Sequence, residues 1–450
     1  MTPGITMEPD QTDFWGYRQA LNADVALPYQ WEMYERVGTI ENFRIVAGLS
    51  SGERHGFFYT DSDLHKWADA ASRTLRNVDR PYLRDRLYEY VRLMEAAQDD
   101  DGYLYTWNQI AGPDHRWENL LVEHELYCHG HFIEAGVEAA GIAPRLLELA
   151  TRSADLICQK FGEGADGTPG HQEIEIALLR LYELTGRDEY HQTALAFLDA
   201  RGRAPLPGLR LLRDQRRHRA KIARHSSLQS DGYDFTETTK EKEMPLIKLR
   251  QLHSFLTGQY MQQHRPVRKQ RTPVGHAVRW SYMMTAAAMA ENVAASTIAH
   301  ERADGLLDVA RGSIRRVVEG RMSVTGGIGA LPLIEGFGRR FELRDEFAYN
   351  ETCAAIGSIF LSHELCIARD DPLFADLLEW QLYNASLVGV GADARSYAYR
   401  NPLLSHGGPA RRSWFGTACC PSNVSRLWAS VSRYAVQATG RRVTVNQYVT

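Results

Sequence analysis

Apolar residues recur at intervals of three and four through nearly the whole chain, the spacing that gathers them on one face of an α-helix. Leu83, Leu87, Val91 and Met94 follow it. Arg80-Pro81 marks the start, because proline suits a first helical turn where no backbone N–H is needed. Ile174, Leu178 and Leu181 repeat the pattern and stop at Thr185-Gly186, where glycine lets a helix end. The same period predicts helices over about 28–43, 63–76, 119–139, 144–160, 188–200, 276–297, 301–319, 351–369, 372–388 and 422–436. Roughly a dozen helices of ordinary length, joined by short Gly, Pro or Asp turns, suit a closed ring of paired helices.

Two stretches depart from the helical period. Residues 201–250 open on a basic run (Arg210, Arg213, Arg216, Arg217, Arg219, Lys221, Arg224) and continue through polar Ser226 to Lys242. No aromatics interleave with the charges, so a solvated loop or divergent insertion is favoured over a nucleic-acid surface. Residues 441–449 alternate with period two and are rich in β-branched side chains, which predicts a strand. A single strand is unstable alone. It therefore pairs elsewhere or, the favoured reading, is the first strand of a truncated β domain over 437–450 that follows a helical domain over 1–436.

Composition adds limits. A hydrophobic content of 44% with 24% charged residues describes an ordinary globular protein with ample core. A net charge of -4 gives no overall pull toward nucleic acid or anionic membrane. No basic, apolar leader opens the chain, and no run approaches the roughly 18 apolar residues of a membrane span. The expected location is cytoplasmic. Cys128, Cys158 and Cys366 fall within helical patterns, so the six cysteines do not read as a secreted disulfide framework.

The remaining cysteines carry the candidate chemistry. Cys419-Cys420-Pro421 and Glu351-Thr352-Cys353 each open an apolar helical run. Adjacent cysteines form a relaxed disulfide poorly. Three sulfurs and one carboxylate would complete a tetrahedral zinc set, although buried, inert cysteines are a common alternative. Helix N-termini favour thiolate over thiol, so both clusters lie where sulfur ionises readily. Pro421 places Cys420 as the expected N-cap. Gly130-His131, Gly170-His171 and Gly275-His276 are each expected to lead into a helix, where the imidazoles either converge on one pocket or serve as satisfied structural residues. Thr325-Gly326-Gly327-Ile328-Gly329 matches neither the dinucleotide nor the P-loop pattern, so phosphate binding is not expected. Glu335, between apolar residues and a glycine, is a candidate acid with a pKa raised by burial, unless it is simply a surface carboxylate.

Taken together, these motifs resemble the β-L-arabinofuranosidases of glycoside hydrolase family 127. The resemblance runs in one order through Asp13-Phe14-Trp15-Gly16, Asp61-Ser62-Asp63 with Lys66-Trp67, Asp101-Gly102-Tyr103-Leu104, His124-Glu125-Leu126-Tyr127-Cys128, Gly275-His276-Ala277-Val278-Arg279 and the two thiol clusters with Asn423. It implies an all-α (α/α)6 barrel followed by β-sandwich domains, with Zn2+ held by Glu351, Cys353, Cys419 and Cys420. Cys419 is then the nucleophile and Glu335 the acid/base of a retaining hydrolase that releases L-arabinofuranose or a related furanose from non-reducing ends. His131, His171, His276 and Tyr399 match positions that line the sugar pocket. A small oligosaccharide or glycoside is the implied partner, and a homodimer is compatible with it. A sugar lyase or epimerase on the same barrel, or a non-catalytic sugar-binding protein with structural zinc, would share the fold. An unsaturated product, or binding without turnover, would mark those alternatives.

Overall fold

The computed structural model describes residues 13–448 apart from 163, 165–166, 225–244, 295–296, 369–370, 408–409 and 440–441. The polar half of the expected insertion and the first and last residues of the expected terminal strand lie outside these residues.

The protein is mostly helical, and its helices are of two kinds. Six of them are enclosed almost all round: Asp61–Asn77, Glu125–Ala139, Ile174–Thr185, Ala277–Asn292, Thr352–Ala368 and Cys419–Trp428. Their sequences explain this. In Ala277–Asn292 small and apolar residues occupy every face, as in Ala286, Ala287, Ala288 and Ala290, all fully buried, which is the signature of a helix with no solvent side, whereas Asp61–Asn77 also buries charged Asp63, Lys66, Asp69 and Arg73. Each of the six packs against the next in chain order, and Cys419–Trp428 returns to Asp61–Asn77. Pro81–Ala97, Pro144–Phe161, Asp188–Ala200, Leu306–Val318 and Pro372–Trp380 lie outside, each against an enclosed helix. These carry the one-sided apolar pattern that made them legible in the sequence.

Buried ion pairs tie the enclosed helices together. Arg426 meets Asp69 (Nε to Oδ2, 2.7 Å) and Glu134, and Arg180 reaches Glu134 at 2.8 Å. Glu138 receives Arg73 at 3.2 Å and Arg433 at 2.7 Å. Glu134, Glu138, Asp69 and Arg426 are all buried, and burying such charges is tolerable only because each is paired.

Several expected helices are interrupted. The 28–43 run divides at Gly38, whose φ of 78° lets Leu27–Arg36 end and Thr39–Val46 begin. The 301–319 run divides into Thr297–Ala303 and Leu306–Val318 at Gly305. The 119–139 run becomes helical only from Glu125, and the 276–297 run ends at Asn292. The 372–388 run loosens after Trp380 into a π turn and a 3-10 turn, and the last run divides into Cys419–Trp428 and Val431–Ala435. Phe14–Leu21 and Thr106–Ala111, too short to show a period, are further helices.

The basic stretch differs most from its reading as loop. Pro207–Arg224 is a helix, and so is Pro245–Leu256. Arginines hide the period because they cover three sides, while Leu211, Asp214, His218 and Lys221 form the buried fourth. The terminal strand is Arg442–Val445, which pairs antiparallel with Val436–Thr439 in a hairpin.

Candidate active site

Two enclosed helices begin at the same place, and their first residues supply the thiols. Glu351 stands just before Thr352–Ala368, with Cys353 in that helix's first turn; Cys419 and Cys420 open Cys419–Trp428. The helix thus starts at Cys419, with Ala418 rather than Cys420 at the cap, since the chain is already helical two residues before Pro421. Cys353 Sγ lies 3.3 Å from Cys419 Sγ and 3.5 Å from Cys420 Sγ. Cys419 Sγ lies 3.7 Å from Glu351 Oε1 and 3.8 Å from Cys420 Sγ. One ligand atom from each of the four residues falls within 4.8 Å of all the others.

That donor set fits a tetrahedral metal ion. Sulfurs at about 2.3 Å from a tetrahedral centre are about 3.8 Å apart, close to the separations seen. Glu351 Oε2 is buried without a hydrogen-bond partner, an arrangement that a cation would relieve. Crowding shows in the proton affinities too. Burial, then Cys419 and Glu335, push the Glu351 carboxyl well up, and the neighbouring Cys353 pushes Cys419 up. Burial also opposes ionisation of Cys353, but the two adjacent thiols outweigh it and bring it down to about 6. Asn423, one turn into the second helix, donates Nδ2–H to Cys353 Sγ at 3.1 Å.

The candidate acid/base stands beside this cluster. Glu335 takes a left-handed backbone (φ 51°) in the loop after the glycine-rich run. The loop is seated by Ala277 N donating to Glu335 O at 2.9 Å. Gly336 is required there, because a Cβ would stand 1.9 Å from Gly275 O. His276 caps Ala277–Asn292: its Nδ1 accepts from Val278 N at 3.2 Å. The imidazole must then carry its proton on Nε2, which faces Glu335 Oε2 at 2.9 Å. Tyr349 Oη donates to Glu335 Oε1 at 3.0 Å. The expectation of a raised pKa is corrected here. Burial does raise Glu335, but His276 and Tyr349 outweigh it and hold the carboxyl below its usual range. Glu351 joins the two groups, since its carboxylate also lies within 4.8 Å of ligand atoms of Glu335 and His276.

Both groups face a cavity of about 740 Å³. His171, His276, Tyr399, Glu335, Glu351, Cys353 and Cys419 line it. His131 does not. Gly130-His131 lies in the middle of Glu125–Ala139 instead of leading into a helix, and the ring packs behind Tyr127, with Nδ1 3.1 Å from Glu173. His171 precedes its helix, held through Nδ1 to Gln172 O at 2.9 Å. Sequence reasoning gave no role to Tyr349, Asn423, Asp63 or Lys66. Lys66 is buried in the cavity wall 3.2 Å from Asp63, and burial pushes that carboxyl up to about 7 despite its partner. An acid three residues before a lysine, at the start of a predicted helix, was the available signal for this pair. Arg400 and the exposed Arg411 and Arg412 also line this cavity.

Residues 10–433 match the family described as beta-L-arabinofuranosidase, GH127 catalytic domain. A non-reducing end beta-L-arabinofuranosidase of Bifidobacterium longum is 30% identical over 481 aligned positions, covering 97% of this chain and 67% of that protein. The crystal structure of a GH127 beta-L-arabinofuranosidase from Geobacillus stearothermophilus is 34% identical, with a TM-score of 0.82 over 97% of this chain and 67% of its own. A second GH127 beta-arabinofuranosidase structure is 31% identical, with a TM-score of 0.80 over 97% of this chain and 62% of its own. The chain therefore spans about two thirds of these relatives' length. With the match extending across both thiol clusters, the acid-bearing loop and every enclosed helix, this chain belongs to glycoside hydrolase family 127 and carries its catalytic domain.

Proposed function

We propose that the protein is a retaining exo-β-L-arabinofuranosidase whose nucleophile is Cys419 and whose acid/base is Glu335, working in an (α/α)6 barrel formed by the enclosed and outer helices. The observation that carries this is Glu351, which belongs at once to the thiol cluster and to the Glu335–His276 pair at the floor of one cavity. A nucleophile and a proton carrier are thereby gathered beside one carboxylate in the lining of a single cavity large enough for a sugar.

Glu351, Cys353, Cys419 and Cys420 would hold zinc, which would keep the sulfurs ionised and hold Cys419 in place. Asn423 orients Cys353 from behind. In the first step Cys419 Sγ attacks the anomeric carbon while the bond to the aglycone oxygen breaks and that oxygen takes a proton from Glu335. In the second, Glu335 removes a proton from water, the water oxygen bonds to the anomeric carbon, and the carbon–sulfur bond breaks. Two inversions retain configuration. Glu335 rests as a carboxylate between two donors, as the second step needs. Its side chain is 30% exposed, so an entering sugar strips its remaining water, and burial favours the protonated form that the first step needs. His276 and Tyr349 keep the carboxylate aimed, and His171 and Tyr399 meet the sugar's hydroxyls.

A panel of nitrophenyl furanosides and pyranosides, assayed with and without a chelator and followed by NMR of the first-formed anomer, tests the reading. Turnover of the β-L-arabinofuranoside with retention, lost on chelation and restored by zinc, is expected. Inversion, or full activity in metal-free protein, would refute it.

A further inference from the structure

Asp61–Asn77 brings its first turns to the cavity wall, where Ser62, Asp63 and Lys66 line the space that also holds Cys419. The two charged side chains are enclosed, Lys66 at 0% and Asp63 at 3% exposure. Buried charges of this kind are costly unless partnered, and the partners present leave part of each group free. Lys66 Nζ donates to Asp63 Oδ1 at 3.2 Å and to Ser62 Oγ at 3.4 Å, and Ser62 Oγ in turn donates to Tyr59 O at 2.8 Å. An ammonium has three N–H groups, so one is left over. Asp63 Oδ1 is engaged, whereas Oδ2 has no hydrogen-bond partner among the described residues. One donor and one acceptor therefore stand side by side in the wall, which is what a single hydroxyl group requires, being itself both acceptor and donor. We propose that Asp63 and Lys66 bind the 2-hydroxyl of the arabinofuranose that reacts, Asp63 Oδ2 accepting its proton and Lys66 Nζ donating to its oxygen. This assignment rests on the furanosidase reading and adds two residues that touch the sugar.

Nearness to the nucleophile selects that hydroxyl. Burial opposes the Lys66 ammonium, but Asp63 and then Cys419 outweigh it. Burial raises the Asp63 carboxyl, Lys66 opposes the rise and Cys419 adds to it, which brings the group to about 7. Both side chains thus lie within electrostatic reach of the Cys419 sulfur. That sulfur attacks the anomeric carbon, and the 2-hydroxyl stands on the next carbon of the ring, closer to the attack than the 3- or 5-hydroxyl. The pair is also held still. Three residues apart, the two side chains share one helix face, and Lys66 Nζ sits 5.1 Å from the centre of the Tyr127 ring, another part of the wall. As the aglycone leaves, positive charge grows on the anomeric carbon and makes the neighbouring hydroxyl a better donor. A carboxylate accepting from it therefore binds the transition state more tightly than the resting sugar. The desolvated Asp63 carboxylate gains in the same step, because the hydroxyl supplies a donor that burial withholds.

The test uses benzyl β-L-arabinofuranoside and its 2-, 3- and 5-deoxy analogues, with the intact protein and two variants. D63L/K66M removes both charges together and leaves neither unpaired. D63N keeps the size of the side chain and an oxygen for Lys66, but puts an amide donor where Oδ2 accepts. Each variant is expected to lose at least about 100-fold in kcat/KM on the parent glycoside, mostly in kcat, and less than about 3-fold on the 2-deoxy analogue. Comparing proteins on one substrate cancels that substrate's own reactivity. Losses on the 3- and 5-deoxy analogues should match the loss on the parent. No loss on the parent, an equal loss on the 2-deoxy analogue, or a loss spared only when the 3- or 5-hydroxyl is missing overturns the proposal. If the intact protein cleaves none of the four, the furanosidase reading has failed, and calorimetric titration with the same compounds decides the contact. Binding weakened about 10-fold by removal of the 2-hydroxyl alone, in the intact protein but not in D63N, would uphold it; binding indifferent to that hydroxyl, or none, would overturn it.

Discussion

Replacing Arg426 by methionine removes the cation that two buried carboxylates share while leaving the side-chain volume nearly unchanged. Asp69 at 2.7 Å and Glu134 are its partners. Breaking a buried pair from one side costs about 3–5 kcal/mol, because the remaining charge stays desolvated. Here each carboxylate keeps one other cation, Asp69 with Arg73 and Glu134 with Arg180, which places the loss near the lower figure, about 3 kcal/mol. For a chain of 450 residues the unfolding entropy is about 0.9 kcal/mol/K, so the midpoint should fall by about 3 °C. Acidity supplies a second readout. Burial raises Glu134, but Arg426 and Arg180 outweigh it and hold its pKa at about 2. A carboxyl depressed on folding stabilises above its unfolded pKa, about 4.3, and that stability fades as pH falls toward the folded value. The difference between wild type and R426M should therefore be full at pH 7 and shrink from about pH 4.3 downward. Differential scanning calorimetry over this range checks both statements. A shift under 1 °C at pH 7, or a gap that widens on acidification, would show that the ion network does not hold the helices together.

Other expectations concern the site. C419S should lose turnover while keeping its fold, and C353S should lose both metal and turnover; elemental analysis beside the activity assay separates them, and near-normal turnover by C419S would end the nucleophile assignment. E335Q should lose about 10²–10⁴ in rate on aglycones that need protonation and far less on nitrophenyl leaving groups; equal losses on both would argue against an acid role. G336A should lower kcat sharply, because its Cβ would meet Gly275 O at 1.9 Å and displace the Glu335 loop, whereas metal content should remain near wild type.

Much of the site was legible in the sequence because the chemistry is concentrated in unusual local groupings. Two neighbouring cysteines before a proline, a Glu-x-Cys at a helix entrance and a glycine-framed glutamate all stand out without a structure. The residues that were missed act from a distance. Tyr349 matters because its hydroxyl crosses from a neighbouring loop to Glu335, and Asn423 because one helical turn brings its amide back to Cys353. Tyr349 leaves no mark on its own stretch of sequence, and Asn423 stands out only as part of the family motif, with no role attached to it. His131 shows the reverse case: its Gly-His setting matched that of His276, yet it lies mid-helix behind Tyr127.

Helical periodicity alone determined that the protein is built of packed helices, because burial of one face repeats every three or four residues whatever the partner. It did not determine where helices break. Gly38 and Gly305 divide continuous apolar runs by adopting positive φ, and a glycine's choice between helix and turn depends on what surrounds it. Nor did it reveal the Pro207–Arg224 helix, whose arginine-covered surface masks its narrow buried face. Tertiary structure decided the meeting of the thiols, since sulfurs 66 residues apart approach to 3.3 Å only when two helices start at the same end of the fold. It also decided the ionisation of Glu335. Local sequence predicted only the burial that raises its pKa, whereas the donors that lower it arrive from His276 and Tyr349, which folding alone brings to the carboxylate.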